Sequence, residues 1–563
     1  MRARIGGNGR PGCAKRPIRR AAIWRPRAGI SAALLAALAL AGCHRAPHDR
    51  KPIPDAAVTT YQYNNARTGS DPFERELTPA NVNARDFGRL ARLPVDGAIY
   101  AQPLYMPEVR IPGKGRHNLV IVATENDSVY AFDACGHPGQ PLWRRRLADP
   151  ARGITPVPAA AVNCGQILPA VGITATPVIA ARRDALYVLA RTENHGRWVQ
   201  TLHALDLSTG RDLRPPVQVR ARVPGHGDGT SRGQVAFDPL RNNARAGLLL
   251  AHGVVYLAWA SSCDVRPFHG WVMAYRASNL RQLGAWCATP DGTAGGIWQS
   301  GNGLAADAAG HIFFATGNGT FDANHGGRDY GDSVVELDLG PGGLAVKSYF
   351  TPFDQAQLDR SDQDLSSAGV LLLPPQPGPH PSELLAEGKK QDIYLLDRHH
   401  LGGYHPDGNV QIVESLAMVN GSAFSLPAYF QGQLYSATVN QLIQAYTLRD
   451  GRLVAPPRQG QLRFPWPGAT PVISSDNGRN AVLWIAWADG RHPSGPAVLY
   501  ALAPGNLDQV LYSSAQHPAR DDAGPAVKFA VPTVAAGRVY LGTQDALDIY
   551  GLLPPAAQNG VAH

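Results

Sequence analysis

One pattern recurs eight times between residues 100 and 553: two apolar strand-like stretches, then a third that often ends near an aspartate, with turn residues between them. Opening stretches include Tyr100–Tyr105, Thr174–Ile179, Gly369–Leu372 and Ala469–Ile473. Second stretches include Leu119–Ala123, Leu186–Ala190 and Ile312–Ala315, and third ones Ser128–Asp133, Leu202–Asp206, Ser333–Asp338 and Asp392–Asp397. A weaker fourth stretch usually follows. Aromatic and β-branched residues fill these segments, with Ala and Gly where sheets must press closely. The 60 glycines and 47 prolines supply turns, and no sustained helical period competes. Repetition of this size in an all-β chain predicts radial stacking: an eight-bladed β-propeller of four-stranded blades, which hides most strand edges. The eighth unit reaches Leu553 with only three strands, while the stretch from Phe87 to Val95 stands unclaimed at the other end. Pairing the two would latch the ring.

The formal net charge of +9 misleads, because nine Lys and Arg and no acid fall within residues 1–30. Without that segment the chain is near neutrality, which gives no electrostatic reason to expect nucleic acid as a partner. The basic stretch precedes an apolar run from Ala28 to Ala41 and then Gly42-Cys43. The run is too short for an ordinary membrane span and reads as a signal-peptide core. Leu40-Ala41-Gly42-Cys43 resembles a bacterial lipoprotein cleavage box, so residues 1–42 are expected to be removed and Cys43 to be lipidated. That places the protein on a bacterial envelope, facing the periplasm and held to a membrane through its lipid. His44, rather than Asp, after Cys43 favours the outer membrane. Residues 43–60 are polar and proline-rich, a flexible tether; 61–554 form the propeller and 555–563 a disordered tail.

Export implies an oxidising compartment. Of the remaining cysteines, proximity along the chain pairs Cys135 with Cys164 and Cys263 with Cys287 as disulfides, although four cysteines allow three pairings. No zinc-like spacing occurs.

Ala131-Phe-Asp133-Ala-Cys-Gly-His-Pro-Gly139-Gln-Pro-Leu-Trp143 resembles the docking repeat of pyrroloquinoline-quinone (PQQ) type propellers, in which the Trp packs across to a neighbouring blade. Leu202–Gly210 is a second copy without the Trp, and Leu77–Val82 resembles the lead-in to the first blade of the quinoprotein alcohol dehydrogenases. Two further stretches are similar to those enzymes: Ala315-Thr-Gly-Asn318-Gly, and Lys389-Lys-Gln-Asp-Ile-Tyr394. The resemblance implies that Asn318 helps hold a calcium or lanthanide ion, with Asp362 as an added ligand. It implies that Lys389 contacts the quinone, and that Asp364, or else Asp354, is the catalytic base. Trp298 and Lys528 each precede an opening strand, which would turn them toward the central funnel as cofactor contacts. The chain departs from the enzymes in lacking adjacent cysteines, a Trp-Asp pairing in the acidic loop and a haem-attachment Cys-x-x-Cys-His.

Each candidate has a plainer reading. Gly317-Asn318-Gly319 is a common turn sequence, the aspartates around Asp362 suit a solvated loop, and Lys389-Lys390 suits a surface turn. The leading expectation is therefore a monomeric envelope lipoprotein whose propeller is a binding or scaffold module for a protein or glycan. The alternative is a PQQ- and calcium- or lanthanide-dependent dehydrogenase of alcohols or sugars. A hydrolase or lyase on the same scaffold comes third; no Gly-x-Ser-x-Gly elbow supports it.

Overall fold

Five of the eight innermost strands begin at the residue after a proline: Leu104, Val178, Ala428, Val472 and Thr533. Proline has no N–H to give a ladder, so pairing starts one residue later. This is why these strands open later than the apolar pattern suggests. In the computed structural model, the residues described are 56–555 except 138, 391, 418–420 and 493–494. The leader, Cys43 and residues 556–563 lie outside them.

Eight antiparallel four-stranded sheets account for the body. The first blade is Leu104–Ile111, Gly115–Ala123, Ser128–Asp133 and Trp143–Arg146, in that order from the hub outward. The fourth is Ala305–Ala306, Ile312–Ala315, Val334–Gly340 and Gly343–Phe350, and the fifth Gly369–Leu372, Glu383–Glu387, Asp392–Asp397 and Glu414–Ala417. The second blade carries an added hairpin, Ile154–Pro158 with Ala170–Val171, on the strand Ala185–Asn194. Apolar side chains fill the gaps between sheets: between the second and third blades, Tyr187, Trp259, Trp271 and Met273 are fully buried. Among the described residues helix is confined to short turns such as Gln355–Arg360.

The ring is latched as expected. Phe87–Pro94 pairs antiparallel with Ala546–Leu552 and supplies the outer strand of the eighth blade. Phe87 is buried against Trp484, Tyr512 and Tyr550, with centroids 5.5, 4.9 and 6.4 Å away. The docking tryptophan also behaves as its motif implies. Trp143 of the first blade donates its indole N–H to the Leu207 carbonyl of the second at 2.9 Å. Its ring presses on Gly210, where a Cβ would lie 2.5 Å from Cε3; Gly210 also has φ +69°, which favours glycine.

Residues 58–74 form a hub that the repeat pattern does not announce. Taken in chain order they bond to the innermost strands of the first seven blades and then to the turn that follows the innermost strand of the eighth. Val58 exchanges backbone hydrogen bonds with Tyr105, and Thr59 accepts from Ile179 N at 2.8 Å. Asn65 donates to Leu250 O at 3.0 Å and accepts from Ala306 N at 2.8 Å. Ala66, Thr68 and Gly69 accept from Leu372, Tyr429 and Ile473, and the Glu74 carboxylate accepts from Gly537 N at 2.9 Å. Residues 56–60, read as the end of a tether, thus belong partly to this hub. Arg67 is fully buried there, bonding the Leu304 carbonyl at 3.0 and 2.7 Å, Thr60 Oγ1 at 2.8 Å and Tyr61 O at 2.8 Å.

The expected disulfide pairing is corrected. Cys164 bonds to Cys263, with Cα atoms 5.5 Å apart across a sequence separation of 99 residues. Cys135 is also disulfide-bonded, and Cys287 is a buried free thiol. Proximity along the chain fails because the second-blade insertion is folded back over the third-blade loop.

Candidate functional site

In each blade the segment before the innermost strand and the loop between the second and third strands emerge at the same end of the ring. Together they surround a cavity of about 300 Å³. Its wall includes Asp264, Trp298, Asp364, Lys389, Trp466 and Lys528, together with the Cys164–Cys263 disulfide.

Asp364 heads the segment that enters the fifth blade and is 5% exposed. Its position is fixed from several sides. The Lys389 backbone donates to Asp364 O at 3.0 Å, and Leu365 N donates to Asp332 Oδ1 at 3.2 Å. Ser366 and Ser367 next to it donate to Gly296 O and Ala423 O at 2.9 and 2.5 Å, tying the fourth, fifth and sixth blades at their tops. Asn318, in the loop between strands of the fourth blade, donates its backbone N–H to Asp364 Oδ1 at 2.9 Å and its side-chain amide to Asp362 Oδ1 at 3.2 Å. The turn comes this close because residue 317 is glycine. A Cβ there would overlap Asp364 Oδ1 and stand 2.9 Å from Ser366 Oγ.

Lys389, in the corresponding loop of the fifth blade, reaches Asp362 Oδ1 and Asp364 Oδ2 at 2.6 Å each. Burial would pull its pKa down, but Asp364 and Asp362 more than offset this and hold it above the ordinary lysine value. Asp264 occupies the same loop in the third blade. Burial, reinforced by the like charge of Asp364, pushes its carboxyl up to about 6. The structure therefore gathers Asn318, Asp362, Asp364 and Lys389, with Trp298 and Lys528 on the cavity wall beside them. Asp264 has no motif of its own. Its position is legible only once the strands of the third, fourth and fifth blades are aligned.

Asp354 does not line the cavity. It stands at the head of Gln355–Arg360 and is held by Lys390 Nζ at 2.8 Å, which also binds Asp392 at 2.7 Å.

A hard cation takes oxygen ligands from carboxylates and amides. Asn318 Oδ1 is buried and has no hydrogen-bond partner, beside the Asp362 and Asp364 carboxylates that Asn318 bonds through its two N–H groups. An orphaned buried acceptor costs about 1–3 kcal/mol, which a cation there would recover, so these residues fit one. A second cluster, His311, Glu336 and Asp338, lies outside the cavity. There the Lys347 ammonium already stands 3.3 Å from Glu336, 3.8 Å from Asp338 and 3.0 Å from His311 Nε2.

No family model matches the chain, and no curated protein matches its sequence. Solved structures do. A quinohemoprotein alcohol dehydrogenase from Pseudomonas putida HK5 superposes with a TM-score of 0.58 at 14% identity, over 88% of this chain and 80% of that one. The chain has the quinoprotein propeller fold. The quinohemoprotein alcohol dehydrogenase of Comamonas testosteroni gives 0.58 at 14% identity, over 90% and 81% of the two chains. A europium-containing methanol dehydrogenase gives 0.54 at 14% identity, over 89% and 98%. On this quinoprotein-type ring, Asp264, Asn318 and Lys389 occupy equivalent loops of three successive blades.

Proposed function

We propose that the cavity holds a PQQ-type quinone with a calcium or lanthanide ion, and that the chain is a dehydrogenase of alcohols or sugars. One observation carries this reading: Asp264, Asp364 and Lys389, brought from loops of the third and fifth blades, line one cavity with Trp298, and Asn318 of the fourth blade bonds Asp364. Asp264 and Asn318 would hold the ion, with Asp362 as an added ligand, which leaves Asp364 as the base. Lys389 would meet the quinone, and Trp298 offers it a flat apolar face. When bound, the quinone supplies a two-electron acceptor that the ion polarises as a Lewis acid.

The chain's own part is positioning and proton transfer. Asp364 takes the proton of the substrate hydroxyl. Its backbone and serine contacts hold it within the buried wall, and Asn318 N fixes which oxygen faces inward. The expected lipid anchor at Cys43 would keep this chemistry on the envelope, with electrons passing to a separate acceptor.

A specific feature favours a second reading. The Lys389 ammonium already neutralises Asp362 and Asp364, so the cluster is satisfied without a guest ion and the propeller can be a rigid binding module. Mixing purified protein with PQQ and Ca²⁺ or La³⁺ separates the two. The dehydrogenase reading expects an absorbance shift, tight binding and dye reduction with members of an alcohol and sugar panel. Neither binding nor dye reduction would leave the binding module.

A further inference from the structure

The near-neutral charge of the body hides a local asymmetry at the end of the ring opposite the cavity. The turns from first to second strand and from third to fourth strand emerge there. In the first three blades these turns and the strand ends beside them are residues 108–116, 133–143, 181–184, 206–214, 251–254 and 276–281. They carry nine Lys and Arg against five acids. The same turns of the fourth blade, 306–312 and 338–343, carry two aspartates and no Lys or Arg.

Like charges are pressed together on this arc. Arg110 and Arg116 stand directly opposite each other across the first hairpin, a pairing that destabilises a ladder. Arg182 and Arg183 are consecutive in the tight turn of the second blade. Arg276 and Arg281 close the turn of the third, where Arg276 N donates to Arg281 O at 2.9 Å. All six are exposed. The turns are neighbours in space. Ile111 and Ala181 share one core cluster. Tyr187, near enough to feel the charges of both Arg183 and Arg214, donates its hydroxyl to Ala277 O at 2.7 Å. Three of the five acids are engaged: Asp133 by His117 at 2.6 Å, Asp206 by Ser208 N at 2.9 Å, and Asp212 by His203 and Arg145 at 2.8 Å each. Leu213, next to Arg214, is 40% exposed.

We propose that this arc docks on an anionic phospholipid bilayer and so holds the ring with the cavity mouth turned away from the membrane. Cations that repel one another on the free protein are stabilised together at a negative surface. A bilayer is broad enough to meet the turns of three blades at once. Leu213 can enter the headgroup region while the arginines around it stay with the phosphates. An anionic polymer would match the charges but has no apolar layer for Leu213. The surface goes beyond the dehydrogenase reading and does not depend on it.

The test is co-sedimentation of the whole purified chain, without quinone or metal, with vesicles of phosphatidylcholine alone or with about one-third phosphatidylglycerol. A lipid on Cys43 would act on both kinds of vesicle, so the difference between them reports the arc. The anionic vesicles are expected to bind at least about tenfold tighter, and raising the salt to about 0.5 M should abolish the difference. Arg182→Gln with Arg183→Gln, and separately Arg276→Gln with Arg281→Gln, should each weaken anionic binding about tenfold or more, with melting temperatures held. Leu213→Ala should weaken it about threefold. Arg449→Gln, at the same end of the ring on the sixth-blade strand Leu442–Arg449, should change nothing. Equal affinity for the two kinds of vesicle, unchanged affinity in both double variants, or an equal loss in Arg449→Gln overturns the arc. Tighter binding of a DNA duplex than of the anionic vesicles would assign the charges to a polyanion and overturn the bilayer. The comparison of vesicles on the wild type needs no variant to fold.

Discussion

Asn318 donates its backbone N–H to Asp364 Oδ1 at 2.9 Å, joining residues 46 apart in sequence at the mouth of the ring. The bond fixes a carboxylate that the proposed chemistry needs as a base, and leaves the Asn318 side-chain oxygen free to face a cation. Asp364→Asn keeps the shape but removes the proton acceptor. In protein loaded with PQQ and calcium, turnover should fall at least about a hundredfold while quinone absorbance is retained. Retained turnover would clear Asp364 of the role.

Gly317→Ala tests the same contact from the other side. The added methyl would displace the Asp364 carboxylate and with it the Asn318 turn bonded to it, so cation affinity should fall about tenfold or more while the eight sheets stay intact. Calorimetric titration with calcium, beside circular dichroism, reads both.

The latch predicts a stability effect far from the cavity. Phe87→Ala empties a site bounded by Trp484, Tyr512 and Tyr550, and should cost about 3–5 kcal/mol in denaturant unfolding. Deleting residues 87–97 should lower the melting temperature sharply. A small change in both would mean that the ring closes without this strand.

Glu387 makes stability depend on pH. It is buried with both carboxylate oxygens unpartnered, and burial raises it to about 8. The folded state therefore binds its proton more tightly than the unfolded state does. The resulting stabilisation is complete below the unfolded value near 4.5 and is lost as pH rises toward 8. Glu387→Gln should flatten that decline and be the more stable form at pH 8, by an amount on the order of 3–5 kcal/mol. Parallel unfolding curves for the two proteins from pH 5 to 8.5 would contradict it.

The ring was legible because its signal is periodic. Apolar strands such as Ile312–Ala315 and Gly369–Leu372 repeat in each blade, and Trp143 with Gly210 marks a docking contact. Asn318, Asp364 and Lys389 were legible through resemblance to the dehydrogenases. Asp264 was not, since Ser-Ser-Cys-Asp carries no motif and its meaning comes from ring position. Residues 58–74 escaped for another reason: they bind the blades mostly through backbone groups, which any sequence possesses. The Cys164–Cys263 bond escaped because closeness in the ring does not follow closeness along the chain.

The most direct measurement is a crystal of the protein grown with PQQ and La³⁺, with anomalous scattering used to find the metal. The account predicts one strong peak bounded by Asn318 Oδ1 and the Asp264 and Asp362 carboxylates, with Asp364 beside it and Lys389 turned toward the quinone. No peak in the cavity, or a peak only at His311, Glu336 and Asp338, would contradict it.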